Sequence, residues 1–141
     1  MRRFLFLAPI LVFFLVLVFP AFPGEASNEI VLYRLKNEGK KEIRDDFSLG
    51  EKIYADFTFL PEEGLASVEF RWINPLNNKE QFYSERVRSP MPPKKQTILC
   101  WLYLPSSLPD KIIGSKYFGR WRLEVWVNNH RAATKAFDVG N

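Results

Sequence analysis

The chain is poor in the residues on which most catalytic and metal centres depend. Of 141 residues one is histidine, His130, and one is cysteine, Cys100. Hydrolytic triads and most transition-metal sites draw on imidazole, whose pKa lies near neutrality. Zinc and copper centres need clusters of His and Cys. Both classes are excluded, so no catalytic residue, cofactor or metal is expected. His130 stands beside Asn129 between two alternating stretches and reads as an exposed turn residue. A single thiol allows no internal disulfide, so the fold must rest on its core. Within TILCWLYL, Cys100 reads as a small buried hydrophobe, with pairing to another chain as the sharper alternative. There is no glycine-rich phosphate loop, no internal repeat and no low-complexity tract. Beyond the N-terminal run, no segment longer than a dozen residues has a helical period.

Carboxylates occur as adjacent pairs, Asp45-Asp46 and Glu62-Glu63. Calcium could use such groups with backbone carbonyls, but no regular ligand spacing accompanies them, and solvated loops are the simpler reading. A paired-carboxylate glycosidase needs two acids across a cleft, and nothing in the sequence points to one. The formal net charge is +4, too mild for nucleic acid, which calls for a concentrated Lys/Arg stripe.

What is present begins with the N-terminus. Arg2 and Arg3 precede an apolar run, Phe4–Val18, broken only by Pro9, and Pro20, Pro23 and Gly24 then interrupt any helix. Gly24 and Ala26 stand at −3 and −1 of a cut before Ser27. This is the pattern of an export signal, expected over 1–26, and it implies a periplasmic or extracellular protein. The alternative is an uncleaved membrane anchor, for which the run is short of the roughly 20 apolar residues of a span. Only in that case is the protein expected at a membrane. No cysteine near the cut offers a lipid attachment site. The mature chain, 27–141, is then one domain, with a net charge of about +3 once Arg2, Arg3 and Glu25 are removed.

That domain is written in period two. In GRWRLEVWV, Gly119–Val127, the residues Trp121, Leu123, Val125 and Val127 share one parity, and Arg120, Arg122, Glu124 and Trp126 the other. Such alternation marks a strand with one buried and one wetter face. Lys52–Leu60 repeats it with Ile53, Ala55, Phe57 and Phe59, and Ala66–Ile73 with Val68, Phe70 and Trp72. Further strands are expected at Asn28–Leu35, Glu80–Arg88, Gln96–Leu104 and Arg131–Val139, with a short one at Glu42–Arg44. Phe47–Glu51 and Asn74–Asn78 read as turns, and one helical turn is expected around Asp110–Ile113. The three prolines of Ser89–Lys95 bar that segment from a central ladder. Seven or so short strands separated by turns predict a single antiparallel β-sandwich.

The spacing also resembles immunoglobulin-like domains of bacterial envelope proteins. The resemblance is carried by Phe47-x-x-Gly50-Glu51-x-Ile53, by Val68-x-Phe70-x-Trp72 followed by Pro75, and by Gly119-x-Trp121-x-Leu123-x-Val125 with Phe137-x-Val139. It implies an immunoglobulin-like sandwich with Trp72 packed in the core on the third strand. The paired cysteines of antibody domains are absent, since Ala55, Phe57 and Leu123 occupy the inward sites.

Surface chemistry then decides the functional expectation. Tyr54, Tyr83 and Trp126 fall at outward parity, and Trp101 with Tyr103 can join them, because Gln96–Leu104 is apolar on both parities. Exposed rings on a sheet anchor protein partners or stack on sugars. Glu69, Arg71, Arg120, Arg122 and Glu124 form cross-strand charge pairs, and Arg86, Arg88, Lys94 and Lys95 a basic loop region. The expectation is a non-catalytic, exported binding or assembly module of the cell envelope, contacting a protein partner through Trp126, Trp101, Tyr103, Arg122 and Arg71. A carbohydrate-binding module, with polysaccharide as partner, and a membrane-anchored structural subunit are the alternatives.

Overall fold

The computed structural model describes residues 28–106 and 116–140. The expected signal over 1–26 and the helical turn around Asp110–Ile113 lie outside the described residues. Nine strands are present among those described: β1 (Glu29–Leu35), β2 (Lys41–Ile43), β3 (Asp46–Ser48), β4 (Lys52–Phe59), β5 (Leu65–Ile73), β6 (Lys79–Arg88), β7 (Gln96–Tyr103), β8 (Gly119–Val127) and β9 (His130–Gly140). They form two sheets, ordered β2-β1-β4-β7 and β3-β9-β8-β5-β6.

The count exceeds the expected seven or so because two short strands join the seven long ones, and of these only β3 escapes the sequence pattern. β3 lies where a turn was expected; it runs parallel to β9, with Phe47 opposite Val139. The short second strand covers Lys41–Ile43 rather than Glu42–Arg44. All other pairings are antiparallel. One sheet thus joins the first, second and fifth long strands, and the other joins the third, fourth, sixth and last. That is the division of an immunoglobulin-like sandwich except at the fourth long strand, β6, which pairs beside β5 instead of joining the sheet of β1, β4 and β7.

Alternating side chains fill the space between the sheets. Ile53, Phe57 and Phe59 face Val68, Phe70, Trp72, Trp121, Leu123, Val125, Phe137 and Val139 in one cluster, joined by Leu32, Phe47, Ile98, Cys100 and Leu102. Val127, expected inward, is only half-buried at the sandwich end. Phe137 is the hub: Trp72 meets it edge-on at 5.7 Å, Phe47 edge-on at 5.9 Å, and Trp121 stacks on it at 6.0 Å. Trp72, on the third long strand, is fully buried. Cys100 is a buried free thiol, and burial pushes its pKa well up, away from thiolate chemistry. The β8–β9 hairpin turns on Asn128-Asn129, both at positive φ (48° and 65°). A two-residue turn of that form matches the strands' right-handed twist. The Asn128 side chain also accepts the Ser67 backbone N–H at 2.9 Å, tying the turn to β5.

Candidate interaction faces

The five expected contact residues divide between the two outer faces. Trp126, Arg122 and Arg71 lie on the outside of the five-stranded sheet, where Arg71 pairs with Glu124 and Glu69 with Trp126 across β5–β8. Trp101 and Tyr103 lie on the outside of the other sheet, opposite Tyr54 and Lys52. No single contact surface on one sheet face unites them. Parity assigns a residue to one side of its strand and says nothing about which sheet that strand joins.

On the five-stranded sheet the polar groups satisfy one another. Glu124 is 7% exposed and accepts from Arg122 Nε at 2.8 Å and from Trp126 Nε1 at 3.1 Å, with Arg131 at 3.9 Å. Burial raises the Glu124 pKa, but the hydrogen bonds from Arg122 and Trp126 and the charges of Arg122 and Arg131 outweigh it and hold the group below the ordinary carboxylate range. Arg71 lies 4.2 Å above the Trp126 ring and donates to Glu69 at 2.6 Å, which lowers the Glu69 pKa. Arg122 also donates to Asn77 at 2.7 Å. Trp126 therefore has its N–H bonded and a guanidinium on its ring. This face is a closed network of cross-strand pairs.

On the four-stranded sheet a row of rings and cations crosses every strand. Lys41 of β2 sits 4.5 Å from the Tyr33 ring of β1, and Tyr33 stacks on Tyr54 of β4 at 5.4 Å. Lys52 then lies between Tyr54 (5.4 Å) and Trp101 of β7 (4.0 Å). Asp56 anchors the inner end, accepting from Tyr33 Oη at 3.1 Å and from Lys41 Nζ at 2.6 Å. Burial and that bond to Asp56 raise the Tyr33 pKa. The row is covered at Tyr33, which is 3% exposed, and open at its β7 end, where Leu99, Trp101 and Tyr103 are 50%, 45% and 48% exposed. Tyr33, Lys41 and Lys52 were not singled out in the sequence; Tyr33 shares parity with Val31 and Leu35, a signal too weak to separate it from a core residue.

Tyr83 departs from expectation. It lies opposite Phe70 in the β5–β6 register, and its ring is tilted against Phe70 at 6.1 Å, so it is on the inward side. It is still 42% exposed, because β6 is an edge strand with no buried residue and overhangs the core. Together with Gln81, Leu99, Cys100 and Trp101 it lines a cleft of about 310 Å³ between β6 and β7.

The remaining candidates are dispersed. Asp46 pairs with Arg44 at 2.8 Å and Asp45 with Lys135 at 3.1 Å, so the first carboxylate pair is split between two cations, while Glu62 and Glu63 are exposed. Arg86, Arg88, Lys94 and Lys95 are also exposed. His130 borders a cleft of about 540 Å³ with Asn28, Leu60 and Glu62. A larger cleft of about 630 Å³ is lined by Arg34, Lys36, Glu51 and Lys52; there Arg34 is bound to both Glu42 and Glu51 and Lys36 to Glu42 at 2.8 Å.

No protein-family model matches the chain, and no curated protein does. Among solved structures, it is similar to the alkylpurine DNA glycosylase AlkC of Pseudomonas fluorescens bound to DNA containing an abasic site analog, at 16% identity and a TM-score of 0.45. That match covers 80% of this chain but only 31% of the glycosylase. It is also similar to an immunoglobulin-like protein from Pseudomonas aeruginosa, at 14% identity and a TM-score of 0.45, over 82% of this chain and 95% of the other.

Proposed function

We propose that the chain is a non-catalytic, exported binding or assembly module of the cell envelope, and that it meets a protein partner through the β7 side of its four-stranded sheet. One observation carries this reading: Leu99, Trp101 and Tyr103 stand half-exposed in a row on one strand. Apolar surface held contiguous against water is characteristic of an interaction site. Aromatic rings supply large contact area with few rotatable bonds, as in binding hot spots. The opposite face lacks this quality, since Trp126 and Arg71 are bonded to each other and to acids within the fold. Within the expected set, the contact role therefore rests on Trp101 and Tyr103, and Trp126, Arg122 and Arg71 hold the other sheet together. Lys52 lies over the Trp101 ring, so a stacked sugar would have to displace a cation already there; a protein partner can add a carboxylate to it. Export rests on the N-terminal pattern alone.

The test is capture from envelope extract with wild type, Trp101→Ala, Tyr103→Ala and Trp126→Ala. The first two variants should lose a partner that wild type and Trp126→Ala retain. Identical partner sets for all four proteins would refute the choice of face, and intact-mass measurement of the purified protein reports whether it begins near Ser27.

A further inference from the structure

The sandwich has four sheet edges among the described residues: β2 and β7 in one sheet, β3 and β6 in the other. Three are blunted. β2 and β3 are three residues each, and β6 carries Lys79, Glu80, Glu85, Arg86 and Arg88. β7 is different. It runs for eight residues, QTILCWLY, with no charge, proline or glycine, and among the described residues it pairs with β4 alone. A strand with one neighbour aims alternate N–H and C=O groups outward. A long, uncharged, apolar edge of this kind templates pairing with another strand. The preceding segment cannot cover it with a ladder of its own, because Pro90, Pro92 and Pro93 lack the N–H donor.

We propose that β7 is a self-pairing edge: two copies of this chain join β7 to β7 in antiparallel fashion, merging their four-stranded sheets into one of eight. Charge selects a second copy as the occupant. β7 offers no charged side chain of its own along this edge; Lys52 comes from β4 and lies on the outer face over Trp101, so the strand that fits the edge is itself uncharged and apolar. β7 is such a strand, present at the protein's own concentration. Two-fold antiparallel pairing sets no like charges against each other. A two-fold axis normal to the sheet also places outward residues beside outward ones, so Leu99 and Trp101 of each copy meet, and Ile98, Cys100 and Leu102 continue the core. Such an isologous contact closes at two copies and leaves no free β7 edge to propagate. The cleft beside β7 supplies a second observation. Tyr83 belongs to the inward side yet is 42% exposed, and an added strand would bring side chains onto it. Gln81 Nε2 reaches the Trp101 carbonyl at only 3.5 Å, a long bond that an incoming N–H can replace. The dimer does not depend on the proposed envelope partner, although it would double the aromatic face offered to one.

Light scattering and sedimentation of the purified protein, from about 1 to 200 µM, test this together with hydrogen exchange. The expected result is twice the monomer mass at the upper concentrations, with β7 amides exchanging about tenfold or more slowly there than in the dilute protein. Leu99→Lys, at a half-exposed site, should stay monomeric throughout with an unchanged circular dichroism spectrum. Leu76→Lys, on the exposed turn before β6, should dimerise as wild type. Monomer mass at every concentration overturns the proposal, as does a dimer that survives Leu99→Lys. A dimer whose β7 amides exchange no more slowly is joined through a face and also overturns it. A monomer that loses its envelope partner on Trp101→Ala removes only the dimer and leaves the binding reading standing.

Discussion

Two tryptophans in the core offer a comparison in which most of the energetics cancel. Trp72 and Trp121 are 0% and 1% exposed, and both pack on Phe137. Their indole nitrogens differ. Trp121 Nε1 donates to the Tyr117 carbonyl at 2.7 Å, whereas Trp72 Nε1 is buried with no hydrogen-bond partner among the described residues. Replacing either with Phe removes the same atoms, so the transfer and cavity losses, about 1–2 kcal/mol at the scale of core truncations, are common to both. The hydrogen-bond contributions have opposite sign. Trp121→Phe loses a bond with a net value of about 0.5–1.5 kcal/mol. Trp72→Phe removes a donor whose burial without a partner costs about 1–3 kcal/mol, and so recovers that much. Trp72→Phe should therefore be near neutral, and Trp121→Phe less stable than it by about 1.5–4.5 kcal/mol. Urea titrations of wild type and both variants, monitored by far-ultraviolet circular dichroism, give the difference from the midpoints if the slopes agree. If Trp72→Phe is destabilised as much as Trp121→Phe, the unpartnered indole reading fails.

Three further outcomes follow from the same geometry. The Glu124 pKa is depressed in the fold, so the stability it adds is fully present above the ordinary glutamate value of about 4.3 and is lost as pH falls through the lower folded value. Glu124→Gln should give a shallower loss of stability below that point; thermal melts of the two proteins that run parallel from pH 6 to 3 would contradict it. In the β8–β9 turn, Asn128→Ala removes the bond to Ser67 and the polar side chain that lets Asn adopt φ 48° more readily than Ala, for a loss of about 1–3 kcal/mol. Asn129→Gly suits its φ of 65° and should stabilise by up to about 1 kcal/mol; equal effects of the two substitutions on the urea midpoint would contradict the turn assignment.

The sandwich was legible wherever one strand carries its own contrast. β4, β5 and β8 alternate large apolar residues with polar ones, and the structure buries the apolar parity of each. β3 left no such mark, because three residues hold too little pattern and its partner, β9, lies about ninety positions further along the chain. For β7 the two parities are equally apolar, so sequence alone left both faces open. Position decides it, since among the described residues no third layer covers the four-stranded sheet, and Trp101 and Tyr103 are exposed while Ile98, Cys100 and Leu102 face the core. Tyr83 shows the converse error: its wetness follows from edge location, and its side follows from pairing with Phe70.

The difference between the two outer faces has a cause in where charge falls relative to aromatic rings. On β5 and β8 the outward residues include Glu69, Arg71, Arg122, Glu124 and Trp126, both signs with one ring among them. Adjacent antiparallel strands then bring opposite charges and the ring within reach of one another, and each polar group finds a partner inside the fold. On β7 the outward residues are Thr97, Leu99, Trp101 and Tyr103, which have no charge to offer. Lys52 from β4 covers one face of Trp101, and no strand on the far side contributes more. A sheet whose polar groups are internally matched gains little from a partner, because binding would exchange one set of bonds for another of similar strength. A sheet edge with unpaired backbone groups beneath exposed rings gains both hydrogen bonds and buried apolar area at once. That asymmetry is the ground on which association, with a partner or with a second copy, is proposed at β7.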